Sequence, residues 1–170
     1  HAPYKGVELT GGGTKIALET IRHHRLLELY LTQALGYGWD EVDAEADRLE
    51  HAISEEFEDR IDAALGYPTV GAHGEPIPSK QGDIRSTVYR PLSDLEVGSP
   101  AVIREVSDRN PEMLRYMDEI GLQLGTDVEV CGKAPFKGPL QLKVGAGQDC
   151  SLGLEVARHI FVEPMARSGR

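Results

Sequence analysis

Cysteine is scarce. Only Cys131 and Cys150 occur in 170 residues, too few and too far apart for a thiolate metal motif or a disulfide framework, so a reducing cytoplasm fits best. Long apolar stretches are missing as well. No run reaches the roughly 18 residues of a membrane helix, and no charged start leads into the apolar core of a signal peptide, so neither a membrane partner nor export is expected. Positive charge is the third shortage. The 18 Lys and Arg stand against 28 Asp and Glu, a formal net charge of −10, which disfavours a large phosphate-binding surface and favours the attraction of cations. A hydrophobic content of 40% argues against disorder, and the length suffices for one or two small domains, of which two are expected.

What is plentiful is acid, and it is patterned. Residues 43 to 51 read Asp-Ala-Glu-Ala-Asp-Arg-Leu-Glu-His, and at helical spacing Asp43, Asp47, Glu50 and His51 share one face. Two carboxylates and an imidazole directed at one point suit a hard or borderline divalent ion, manganese or ferrous iron more than a thiolate-seeking one. The bland alternative is a solvated acidic face, because Val42, Ala46, Leu49 and Ile53 also mark an ordinary amphipathic helix. A second pair, His24 and Glu28 at i, i+4 on an earlier helix, allows ions to be shared between two helices.

The rest of the chain reads as helices followed by strands. Tyr4 to Thr10 suggests a strand ending in a turn at Gly11-Gly12-Gly13. From Thr14 a helix runs to about Leu35, stopped by Gly36 and Gly38. Asp40 is a plausible N-cap for the acidic helix. Ser54 is a plausible cap for the next one, through Phe57, Ile61, Ala64 and Leu65, although the capping-box glutamate is missing. Residues 66 to 84, rich in Pro and Gly, form a loop. Beyond Arg90 come short β-like runs, Ala101 to Val106, Asp127 to Cys131, Leu140 to Val144 and His159 to Val162, which suggest a small barrel. Met113, Leu114 and Met117 place one short helix over Pro111 to Glu119.

These residues carry a resemblance. The order His-Arg-Leu-Leu-Glu, then Ala-Glu-Ala-Asp-Arg-Leu-Glu-His-Ala-Ile-Ser, then Pro-Thr with Gly-Glu-Pro-Ile-Pro, resembles the diphtheria-toxin-repressor family of metal-dependent transcriptional regulators. Leu92 to Pro164, with Asp118-Glu119-Ile120-Gly121-Leu122 and Gly125, resembles the FeoA-type barrel that often ends such proteins. The resemblance implies an α+β chain: a wing remnant of a winged helix-turn-helix at 1–13, a helical dimerisation and metal-binding domain at 14–84, a linker at 85–89, and an SH3-like FeoA-type β-barrel at 90–166. It also implies that the recognition helix belongs to an N-terminal domain absent from the sequence as given, which would supply the contact with operator DNA.

Carried over by residue, the family's main metal site draws on His24, Asp47, Glu50 and His51. Asp47 stands where iron-responsive relatives have cysteine and manganese-responsive ones a carboxylate, so Mn(II) is expected, with Fe(II) the alternative. Zn(II), Co(II), Ni(II) or Cd(II) can bind in vitro. For a second site Glu28 matches a ligand position, Asp43 stands where iron-responsive members have histidine, His73 matches a loop histidine of some manganese-responsive relatives, and Asp108 an acidic ligand from the barrel. Glu105 and Glu112 are rival donors for that last place. His23 is expected to be exposed beside the ligand and His159 to lie in a terminal strand, while Arg25 can hold a carboxylate or an anion.

The implied mechanism is linkage: metal joins groups from two helices and the DNA-binding domain, and metal and operator assist each other. Metal affinity should fall as pH drops through the histidine range of about 6 to 7. The resemblance implies a homodimer, and apolar residues on the first long helix, Leu27, Tyr30, Leu31 and Leu35, suggest a surface for the twofold partner. Two competing readings are a di-metal carboxylate enzyme, disfavoured because paired Glu-x-x-His motifs are missing, and a FeoA-like interaction module of a metal transport system.

Overall fold

A computed structural model of the chain describes residues 9–84 and 87–165. The expected strand at Tyr4 to Thr10 falls mostly outside them. The chain divides into a helical unit and a sheet unit, and two short stretches, Gly38–Glu41 and Ala72–Glu75, group with the sheet rather than with the helices that flank them in sequence. Among the described residues no helix is long and apolar enough to cross a membrane.

The helical unit begins with α1 (Gly11–Leu35). It starts three residues before the predicted Thr14, because the Thr10 side chain accepts from Gly13 N and its carbonyl accepts from Thr14 N. That cap satisfies amides of the first turn and draws the glycines into the helix instead of a turn. At the other end Gly36 takes a φ of +74°, and the amides of Gly36 and Tyr37 turn back to the carbonyls of Thr32 and Leu31. The next helix, α2 (Val42–Leu49), buries Val42 and Ala46, as the periodicity requires. Asp40 accepts from Arg115 at 3.0 Å. α3 (Glu55–Ala64) is capped as predicted, Ser54 accepting from Phe57 N.

Buried apolar residues of this unit include Leu26, Leu27, Leu29, Leu31, Val42, Ala46, Ile61 and Ile77. Leu27 and Leu31 are thus covered within the chain. Of the apolar residues expected to meet a twofold partner, only Leu35, 58% exposed, offers a large open side chain.

The sheet unit contains β1 (Arg90–Pro91), β2 (Pro100–Val106), α4 (Pro111–Glu119), β3 (Asp127–Lys133), β4 (Leu140–Val144), β5 (Gln148–Leu152), α5 (Leu154–Ala157) and β6 (Ile160–Pro164). Its strands pair antiparallel in the order β1-β6-β2-β3-β4-β5. The sheet is SH3-like but open. The expected closed barrel does not form, because β5 pairs only with β4 and β1 is two residues long with a proline that has no amide to donate.

Alternation explains the core. In β4, Leu140, Leu142 and Val144 point inward, while Gln141 and Lys143 face solvent. Leu114 and Met117 of α4 join them, with Asn110 accepting from Glu112 N and Met113 N at the helix start. Trp39 packs against the same core. The stretch Ala72–Glu75 lies against β2: Val106 N donates to His73 O at 2.9 Å, and Gly74, at φ +94°, has no room for a Cβ, which would stand 2.0 Å from Arg104 O. His159 precedes β6 and pairs with Glu155, rather than lying in the strand.

Candidate metal centre

His24 of α1 is the hub of an acidic cluster. Its Nδ1 stands 2.7 Å from Glu50 Oε2 and 3.6 Å from Asp47 Oδ1, and its Nε2 stands 3.4 Å from Asp43 Oδ1 and 3.5 Å from Glu28 Oε1. The ring therefore sorts its carboxylates into two sets: Asp47 and Glu50 on one nitrogen, Glu28 and Asp43 on the other. Helix α1 supplies both His24 and Glu28 because residues four apart share a face, and α2 supplies Asp43 and Asp47 by the same rule.

One expectation is corrected here. Helix α2 ends at Leu49, so Glu50 and His51 do not continue its face but sit in the following turn. Glu50 still reaches His24, whereas His51 is 73% exposed and meets the outer oxygen of Glu50, Nε2 to Oε1 being 3.1 Å. The reason is local: the turn between α2 and the Ser54 cap of α3 breaks the helical spacing after one residue.

The donor set fits a hard or borderline divalent cation. His24, Asp43 and Asp47 each offer an atom within 4.8 Å of the others, and the surrounding donors are carboxylate oxygens and imidazole nitrogens without a thiolate. Neither cysteine belongs to the cluster. Cys131 is exposed in the sheet unit, and burial pushes the Cys150 thiol up, away from the thiolate form that binds metals.

Electrostatics tie His24 to its neighbours. Burial works against the imidazolium, but hydrogen bonds and charge from Glu28 and Glu50 outweigh it and raise the pKa from 6.5 to about 9. At neutral pH the metal-free ring is charged, so a cation must displace its proton. We expect about one proton released per ion bound near pH 7, seen as a binding heat that varies with the ionisation heat of the buffer. A heat independent of buffer would contradict this. For folding the sign is opposite. A folded pKa above the ordinary value means that the charged ring stabilises the metal-free protein fully below pH 6.5, and this stabilisation fades as pH rises through about 9. Metal affinity gains from deprotonation over that window, higher than the range of an ordinary histidine.

The other predicted donors divide between the units. Glu28 is fully buried in α1; His73 and Asp108 belong to the sheet unit. Within that unit a ring nitrogen of His73 and a carboxylate oxygen of Asp108 lie within 4.8 Å. His73 is buried, its ring stacks on Trp39 at a centroid distance of 6.0 Å, and its Nε2 meets Trp39 O at 2.7 Å. A donated Nε2–H makes Nδ1 the acceptor nitrogen of the neutral ring, the tautomer a backbone carbonyl commonly fixes in metal-binding histidines. Of the rivals of Asp108, Glu112 is exposed, its amide held by the Asn110 cap.

One residue differs from expectation. His23, expected at the surface, is buried between Glu58 Oε2 and Glu50 O, each 3.1 Å away. Arg25 donates to the Pro76 carbonyl. Glu58 carried no sequence signal, since it is one acid among several at the start of α3.

Comparison with known proteins follows the same division. A family model described as the iron dependent repressor, metal binding and dimerisation domain matches residues 10–79, and the FeoA domain matches residues 90–164. The iron-dependent repressor IdeR of Mycobacterium tuberculosis (strain ATCC 25618 / H37Rv) is 37% identical over 170 residues, covering 92% of this chain and 73% of that protein. The chain belongs to the iron-dependent repressor family. Another relative in this repressor family, the diphtheria toxin repressor of Corynebacterium glutamicum, is 29% identical over 140 residues, covering 76% of this chain and 61% of its own. Among solved structures, a manganese-dependent transcriptional repressor in complex with manganese superposes with a TM-score of 0.90 at 39% identity, covering 94% of this chain and 76% of that one. ScaR with bound Cd2+ gives a TM-score of 0.77 at 34% identity, covering 92% and 73%.

Proposed function

We propose that this chain is the metal-sensing regulatory part of a DNA-binding transcriptional repressor that responds to Mn(II), with Fe(II) the alternative, and so serves metal homeostasis. The observation that carries this reading is the His24 imidazole set among the carboxylates of Glu28, Asp43, Asp47 and Glu50. Oxygen donors with imidazole and no thiolate favour manganese by ligand hardness, while zinc, cobalt, nickel and cadmium can compete in vitro.

His24, Asp47, Glu50 and His51 hold the main ion. Glu28 and Asp43 serve a second ion, and His73 with Asp108 offers a further donor pair within the sheet unit. The bound ion supplies a compact positive charge that separate segments of chain can share. The residues do the rest: His24 gives up its proton, Glu50 turns both carboxylate oxygens to imidazoles, and buried Glu28 fixes the rear of the cluster. Ordering these segments favours one arrangement of the DNA-reading part, a coupling of typically about 1–3 kcal/mol that must be reciprocal.

The repressor acts in the cytoplasm as a homodimer on operator DNA, with the helical unit serving dimerisation and metal binding and the sheet unit being the FeoA-type domain. The repressor family of its relatives supports a regulator over a di-metal enzyme or a transport module.

The test is calorimetric titration of the metal-free protein with manganese, and with ferrous iron, on wild type, Asp47→Ala and His73→Ala. Wild type should take up two ions per chain, Asp47→Ala should weaken the main one, and His73→Ala should leave the main one unchanged. Titration curves that neither variant alters would sink the assignment.

A further inference from the structure

Glu50 is gripped twice by consecutive residues of α1. His24 holds its side chain, with 2.7 Å between Nδ1 and Oε2, and His23 holds its main chain, with 3.1 Å between Nδ1 and the Glu50 carbonyl. The second grip answers a local need. Helix α2 ends at Leu49, and the amide that would bond the Glu50 carbonyl in a longer helix belongs to Ser54, already the N-cap of α3. His23 takes its place.

His23 is itself held. Its Nε2 stands 3.1 Å from Glu58 Oε2, while Glu58 Oε1 accepts from Arg22 Nε at 2.5 Å. Arg22 also donates to Asp62 Oδ2 at 2.6 Å and to the Pro78 carbonyl at 2.9 Å. Arg22, His23 and Glu58 are all buried. Burying such groups costs free energy that apolar packing would avoid, and directional hydrogen bonds are what that cost secures.

We propose that Arg22, Glu58 and His23 are positioning residues for Glu50: a buried relay that carries the placement of α3 to the turn bearing Glu50 and His51. The proposal rests on the reading of Glu50 as a metal ligand. It assigns to the buried network a role in affinity beyond joining α1 to α3, because a ligand set tolerates displacements of only about 0.5 Å.

The test uses the full chain and the variant His23→Leu, which fills the same space and removes both contacts. Manganese affinity at the main ion should fall by about ten- to a hundredfold, and amide exchange across residues 50–53 should accelerate in the metal-free protein. A role in fold alone would lower the melting temperature of the metal-free protein and leave the affinity of the folded form within twofold of wild type, and that outcome overturns the proposal. Glu58→Gln gives the same reading should His23→Leu fail to fold, with the loss again expected in affinity. His24→Ala serves as the reference: if it binds manganese like wild type, or if wild type binds none, the metal reading itself has failed and the relay falls with it. If His24→Ala loses binding while His23→Leu keeps it, only the relay is wrong.

Discussion

Replacing His24 by alanine should lower manganese affinity by more than a hundredfold, beyond the roughly ten- to hundredfold cost of removing a group that merely orients a ligand. Among the described residues, His24 is the one whose ring meets both carboxylate sets, Asp47 and Glu50 through Nδ1, Asp43 and Glu28 through Nε2. Without it the cluster loses a nitrogen donor and, in the metal-free state, the cation that balances its charge. The carboxylates would then repel one another, and some would take up protons that an incoming ion must displace. Glu50→Ala should come next in severity and Asp47→Ala below it, because the Glu50 side chain is 11% exposed and 2.7 Å from the ring while Asp47 is 68% exposed and 3.6 Å away. Cys131→Ser should leave affinity unchanged. Calorimetry on the four variants at one pH decides the order. A His24→Ala protein that binds within tenfold of wild type would remove His24 from the centre of the site.

The largest expected effect on stability is at Gly74. Alanine there is strained on two counts: the backbone sits at φ +94°, and the added Cβ would stand 2.0 Å from the carbonyl oxygen of Arg104, a main-chain atom in β2 that cannot rotate away. Relief requires lifting Ala72–Glu75 off the strand, which breaks the bond from Val106 N to His73 O. The cost should be at least about 3 kcal/mol, in the range reserved for strain at special backbone positions. Denaturant unfolding monitors it, and amide exchange at Val106 reports the lifting directly. Gly145→Ala is the control. It too lies at positive φ, +53°, but with nothing within 4 Å of the new Cβ, so its cost should stay near 1–2 kcal/mol. Equal losses at the two positions would mean that the close approach at Gly74 contributes nothing.

Much of this protein was legible in its sequence, and for local reasons. The short helix over Pro111 to Glu119 follows from Asn110, Pro111 and the spacing of Leu114 and Met117, and the strand over Leu140 to Val144 follows from strict alternation. Both signals are carried by neighbours in the chain. The family resemblance likewise rests on short motifs, and it identified the kind of protein before any geometry was known. Strand β5, Gln-Asp-Cys-Ser-Leu, escaped notice because it has no apolar alternation; its place comes from pairing with β4, from Leu140 opposite Leu152 to Val144 opposite Gln148.

Other features belong to the tertiary structure alone. That His23 is buried on Glu58 and the Glu50 carbonyl depends on α3 reaching α1 across 35 residues of chain. The sheet stays open because β1 is too short to meet β5, a matter of pairing rather than of propensity. Residue types and spacing along one helix determined which groups can bind a cation, since chemistry and helical periodicity are local properties. Which of them converge, at what distance and with what charge, was decided by contacts between segments far apart in the chain, where burial and hydrogen bonding select one arrangement from many that the same local pattern allows.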